Sequence, residues 1–252
     1  TVYIAKGVYP VASVMSVTNI PAIYGGFLGE SEDETVEGRQ FDVNKTVLSG
    51  DTDNNDYWCH IEPGAVGSYT FTKTELTDKP LFKDGELQLP PDFTGDYDGY
   101  VPNIDTANAT AVFSIKNGIA GVIDGLWCAG FCGGSTAFVT FQSGTKAVNL
   151  VNCRFLGNTS HKTTIQNNDT SSTKKLIGCK IMFTGIRITD PWGDAASPGI
   201  ALGSGTLPQL TDCEFVSLVS IGEDAMYKQW SGYNVLSFSR SGAAWAYNLQ
   251  MT

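Results

Sequence analysis

Four stretches of the chain repeat one outline: a short apolar run, a turn-forming residue, then a second short apolar run. They are VIDGLWCAG (122–130), AVNLVNCRFLGNTS (147–160), KLIGCKIMFTG (175–185) and QLTDCEFVSLV (209–219). Aligning Leu126, Cys153, Cys179 and Cys213 gives intervals of 27, 26 and 34 residues, the length of one unit in a repeat architecture with variable loops. A unit this small cannot bury its own core, so neighbouring units must bury it by stacking. The residue before the aligned position is Gly125, Asn152, Gly178 or Asp212, all types that accept a left-handed or turn backbone. Two residues after it come Cys128, Phe155, Ile181 and Phe215, the period-2 spacing of a strand face turned inward. These residues, with Val151, are expected in or near the core.

The segment NCRFLGN (152–158), which contains an FxxN element, resembles the irregular repeats of polymorphic outer-membrane and adhesin-like proteins, as do IYGGFLG (23–29) and KTVLSGD (45–51). These belong to the right-handed parallel β-helix, or pectate-lyase-like, superfold. The resemblance spans residues 1–60 and 111–225. It implies an all-β chain: one right-handed parallel β-helix over 1–252, with long loop insertions and roughly eight or nine coils rising about 4.8 Å each. That superfold carries lyases, hydrolases, adhesins and inert stalks alike, so function does not follow from it.

Read in order, TVYIAKGVYPV (1–11) is two short strands about a Gly7 corner, and PAIYGGFLG (21–29) is a buried strand. ESEDETVEGRQFDVN (30–44) reads as a solvated acidic excursion. Residues 72–110 break the rhythm with four prolines and scattered acids. A loop of that length in a compact domain is usually functional, so an insertion protruding from the wall is expected at about 72–110, with Phe82, Phe93, Tyr97 and Tyr100 as contacts or as pins. A second loop is expected at 187–205, where Pro191 and Pro198 forbid a continuous strand. Strand-like runs continue through 235–239 and 243–251.

A net charge of −10 argues against nucleic acid or an anionic membrane as partner. No apolar run reaches 18 residues and no leader opens the chain, so neither a spanning helix nor a signal peptide is expected. Cys153, Cys179 and Cys213 are expected as buried thiols acting as small apolar residues. For Cys128, Cys132 and Cys59 the redox state stays open, a Cys128–Cys132 bridge being one alternative. Asn44, Asn108, Asn158 and Asn168 each begin a glycosylation acceptor pattern. In DTDNNDYWCHIE, Asp51, Asp53, Asn55 and Glu62 stand at calcium-loop spacing, but Asp56 occupies the place of the required glycine. The alternative is a polar turn, so the cofactor expectation is none, or calcium.

Two histidines, His60 and His161, support no catalytic triad, and the lysines and arginines do not cluster as a lyase base would require. For a glycosidase, the carboxylates of Asp190, Asp194, Asp212, Glu223 and Asp224 are the candidates for an acid and base pair. The leading expectation is a secreted or surface-displayed structural protein, adhesin-like or a filament subunit. It would assemble end to end as a homo-oligomer through Val2, Ile4, Trp245 and Leu249. The alternative is a carbohydrate-active enzyme using the acidic cluster.

Overall fold

The computed structural model describes residues 1–31, 34–63, 71–90, 100–103, 107–133, 137–160, 164–183, 185–188, 200–202, 208–216, 219–222, 236–238 and 249–251. Among these there are strands and turns but no helix. The short apolar runs form four parallel sheets. The first pairs Val2–Ala5, Ala22–Phe27, Gly121–Asp124, Val148–Val151, Lys175–Ile177 and Gln209–Thr211 in that order. The second pairs Gly7–Pro10, Thr46–Ser49, Leu126–Ala129, Arg154–Leu156, Lys180–Met182, Cys213–Val216 and Leu249–Met251. The third runs from Met15–Val17 through Phe113–Ile115, Val139–Phe141, Ile165–Asn167 and Ile200–Leu202 to Leu236–Phe238. A fourth, narrow sheet joins Cys132–Gly133, Thr159–Ser160, Gly185–Ile188 and Val219–Gly222.

Between Gly121 and Gly222 the chain visits the first, second, fourth and third sheets in turn, and each return adds a strand beside the previous one. Register follows the sequence alignment. Ile23, Ile123, Leu150, Leu176 and Leu210 are directly paired down the first sheet. Leu48, Cys128, Phe155, Ile181 and Phe215 are paired down the second. All ten are buried in one cluster that also takes in Cys153, Cys179 and Cys213. Each full burial of a Leu, Ile or Phe stabilises by about 1.5–3 kcal/mol, and a one-residue slip would turn the whole row outward.

The corners are where these turns are made alike. Gly125, Asn152, Gly178 and Asp212 all have φ between 50° and 72°. Asn and Asp tolerate this region because their short side chains bond locally: the Asn152 amide donates to Asp124 Oδ1 at 3.2 Å. A second left-handed corner follows the second sheet at Gly130, Gly157 and Phe183. There Phe183 accepts an unfavourable backbone while its ring is fully buried edge-on against Trp58, centroids 5.6 Å apart.

Where it is described, the insertion expected over 72–110 is partly built of strands that join a layer begun at Tyr57. Tyr57–Pro63 pairs antiparallel with both Phe71–Pro80 and Tyr100–Asn103, and Phe82–Lys83 forms a hairpin with Glu86–Leu87. This layer lies on the outer face of the second sheet. Trp58, Leu81, Phe82 and Leu87 pack with Val47, Trp127, Leu156 and Met182 in a second apolar cluster. The central strands of the second sheet are therefore buried on both faces, which explains why Leu126–Ala129 is buried at every position. The three long parallel sheets have six, seven and six strands among the described residues.

Gly178 offers a direct check on the corners. A Cβ there would lie 2.7 Å from Asn152 Oδ1, on a backbone at φ +61°. Gly178→Ala is expected to cost about 1–2 kcal/mol in urea unfolding, and the double variant with Asn152→Gly to lose less than the two single losses added.

Candidate functional site

Most polar side chains in the interior act as fastenings. Glu34 accepts backbone N–H bonds from Leu28 at 2.7 Å, Gly29 at 2.8 Å and Glu30 at 3.2 Å. Desolvation opposes ionisation of its carboxyl, but these backbone donors outweigh it and hold the group below the usual range. Further along the same loop, Arg39 pairs with Asp124, lies 5.2 Å from the centre of the Tyr24 ring and donates to Val36 O. Arg154 makes a two-pronged contact with Asp42, both bonds 3.0 Å, and its guanidinium sits 5.3 Å from the Phe41 ring. Trp127 Nε1 donates to Phe41 O. The expected solvated excursion at 30–44 is thus a strap fastened across the first and second sheets. Sequence reading missed these pairs because Arg154 and Asp42 are 112 residues apart and no local pattern links them.

A second fastening lies beside the third sheet. Lys174 Nζ, fully buried, donates to Asp169 Oδ2 at 2.6 Å, Thr145 O at 2.8 Å, Ser172 O at 3.1 Å and Ser172 Oγ at 2.5 Å. Asp169 also accepts from Gly144 N and from Ser171. Desolvation pushes its carboxyl up, but the Lys174 bond and these others prevail and hold it far below the usual carboxylate range.

In the 51–62 segment, Asp51 Oδ1 accepts from the backbone N–H of Asn54 and Asn55 and its Oδ2 from that of Asp56, the local bonding of an Asx turn. Burial raises the Asp51 carboxyl, against these three donors and with a smaller push from Asp53. Asp53 accepts from the Asn55 amide at 3.0 Å. Glu62 lies in the strand Tyr57–Pro63. Among the described residues no group of three His, Cys, Asp or Glu is placed to hold a metal ion.

Of the four acceptor patterns, two asparagines are built into the interior. Asn158 donates to Cys128 O at 3.0 Å and accepts from Phe131 N at 3.1 Å, fully buried. With Phe155 it completes the FxxN element. Asn108 donates to Asp56 Oδ2 and Gly130 O. A glycan on either would break these bonds, whereas Asn44 and Asn168 are only half-buried.

None of the six cysteines forms a disulfide and all are buried. The Cys153, Cys179 and Cys213 thiols each donate to the carbonyl of a residue on the neighbouring strand of the first sheet, Ile123, Leu150 and Leu176, at 3.4 Å. Burial pushes the Cys128 and Cys179 thiols up. Asp190, Asp194, Glu223, Asp224 and Trp245 lie outside the described residues. Val2 and Ile4 lie in the outermost strand of the first sheet, and Leu249 in that of the second.

Cavities gather around the strap. One of about 510 Å³ lies between the strand Val2–Ala5 and the loop at 29–36, lined in part by Tyr3, Phe27 and Glu34. An adjoining one of about 680 Å³ is formed by the loop itself and includes Glu30, Arg39 and Gln40.

Linkage gives the Asp169 pair a signature. A carboxyl whose pKa is lower folded than unfolded contributes stability above the unfolded value, about 4, and loses it as pH falls below that value. Asp169→Asn is expected to lose about 3–5 kcal/mol near neutral pH, because Lys174 stays buried without its counter-charge. Between pH 4 and pH 2 its urea midpoint should fall less than that of the unmodified protein.

No family model matches the chain, and neither a curated protein nor a solved structure matches it.

Proposed function

We propose that the chain forms a single right-handed parallel β-helix and serves as a secreted or surface-displayed structural protein, adhesin-like or a filament subunit assembling end to end. The observation that carries this reading is the set of strands at one end. Val2–Ala5, Gly7–Pro10 and Met15–Val17 are each the outermost strand of a different parallel sheet. Among the described residues the outermost members of the inward rows are Val2, 42% exposed, and Tyr9, 38% exposed. Outermost strands present rows of N–H and C=O groups that template another strand. The opposite end offers parallel strands of the same sheets, so the contact is head-to-tail and propagates when it does not close. No helix among the described residues is long and apolar enough to cross a membrane. The loops and the covering layer over 57–103 would supply contacts to a host surface or carbohydrate. The net charge of −10 favours neutral or basic partners.

A second reading, a carbohydrate-active enzyme, draws on one pairing. Ile188 lies beside Gly222 at the ends of adjacent parallel strands. In the sequence, Asp190 and Asp194 follow the first of these strands, and Glu223 and Asp224 follow the second. Release of reducing sugar from polysaccharides, abolished in Asp190→Asn or Glu223→Gln, would favour it.

Electron microscopy of the full natural chain tests the leading reading. Filaments are expected, and Val2→Lys with Tyr9→Lys should leave discrete particles by placing charge on the open end. Discrete monomers of the unmodified protein at high concentration would contradict it.

A further inference from the structure

The cavity beside the outermost strand of the first sheet has a chemistry that the assembly reading does not use. Tyr3 is 61% exposed, yet its ring is fixed by two neighbours. It stacks on Tyr24, centroids 5.8 Å apart at 17°, and meets Phe27 edge-to-face, 5.5 Å apart at 88°. Tyr3 and Phe27, their rings nearly perpendicular, both line the cavity, and Glu34 lies on its lining as well. The Glu34 carboxylate is oriented by backbone donors from Leu28, Gly29 and Glu30. Among the described residues no basic side chain is in ion-pair distance of it; the nearby Lys6 is paired with Glu30 at 3.9 Å. Residues 30–37 of the sequence carry five carboxylates and no lysine or arginine.

Aromatic faces are electron-rich, and a cation held against them and beside a carboxylate gains from both. The same aromatic group already holds one cation, since Arg39 sits against the Tyr24 ring. The carboxylate repels an anion and adds to the attraction for a cation. We propose that this cavity binds an alkylammonium group, with Tyr3 and Phe27 as its walls and Glu34 as its counter-charge. A volume of about 510 Å³ falls within the range of small-ligand sites. Two sources supply that chemistry, a free quaternary amine or the side chain of a lysine on a protein partner.

The test titrates the protein with choline, with its uncharged isostere 3,3-dimethylbutan-1-ol, and with Nα-acetyl-lysine methylamide, followed by tyrosine fluorescence and by NMR. It uses the monomeric fraction, so loss of assembly and loss of ammonium binding are read separately. Saturable binding of choline or of the lysine derivative is expected, with none by the isostere, and the tighter of the two identifies the source. Tyr3→Leu should weaken binding about fivefold or more while Tyr3→Phe retains it. Because Tyr3 is exposed, Tyr3→Leu is expected to fold, and its melting curve checks this. As a measurement needing no variant, 0.5 M NaCl should weaken binding, since a partly exposed charge pair is screened. Equal binding of choline and its isostere, no saturation by either cation, or unchanged affinity in a folded Tyr3→Leu protein would overturn the proposal.

Discussion

The structure depends on a backbone constraint that recurs at four corners: the chain leaves the first sheet through a left-handed residue. Gly125, Asn152, Gly178 and Asp212 occupy that place with φ within about 20° of one another. Because the bend is the same each time, the next strand starts in the same register. Phe155 then lies between Cys128 and Ile181, and Ile181 beside Phe215. Like residues stack on like residues, and the core becomes a set of rows whose burial reinforces the register that produced them.

Outside those rows, the second sheet is sealed by a layer of different construction. An antiparallel sheet and a hairpin place Trp58, Leu81 and Phe82 against its outer face, while the strap ties the corner between the first and second sheets with two arginines. Arg154 reaches Asp42 from within the second sheet, and Arg39 reaches Asp124 at the end of a first-sheet strand. The two guanidinium groups have little access to water and are costly unless paired, so these contacts fix where the loop lies more than they add stability.

The rows were legible in the sequence because they obey local rules: a turn former, then alternation. The covering layer was not legible. Tyr57–Pro63 begins in a polar stretch that reads as a turn, and Phe71–Pro80 carries the acids, lysines and proline of a loop. Its strand character comes from antiparallel pairing within the layer, Tyr57–Pro63 lying between Phe71–Pro80 and Tyr100–Asn103. The fastenings were hidden for a related reason. Lys174 and Asp169 look like solvated charges until the fold brings Thr145 over them, and Tyr3 reads as one residue of an edge strand until Tyr24 and Phe27 fix its ring.

The central claim is the parallel, in-register pairing of successive strands within each sheet, and spin labelling tests it most directly. Lys175 and Gln209 are exposed and directly paired on adjacent strands of the first sheet. All six native thiols are buried, so cysteines introduced at 175 and 209 would be labelled selectively. Strands in this register stand about 4.8 Å apart. The account predicts strong dipolar broadening between the two labels, and weaker broadening for a pair at Asn149 and Gln209, two strands apart. Sharp, non-interacting spectra from the Lys175 and Gln209 pair would contradict it.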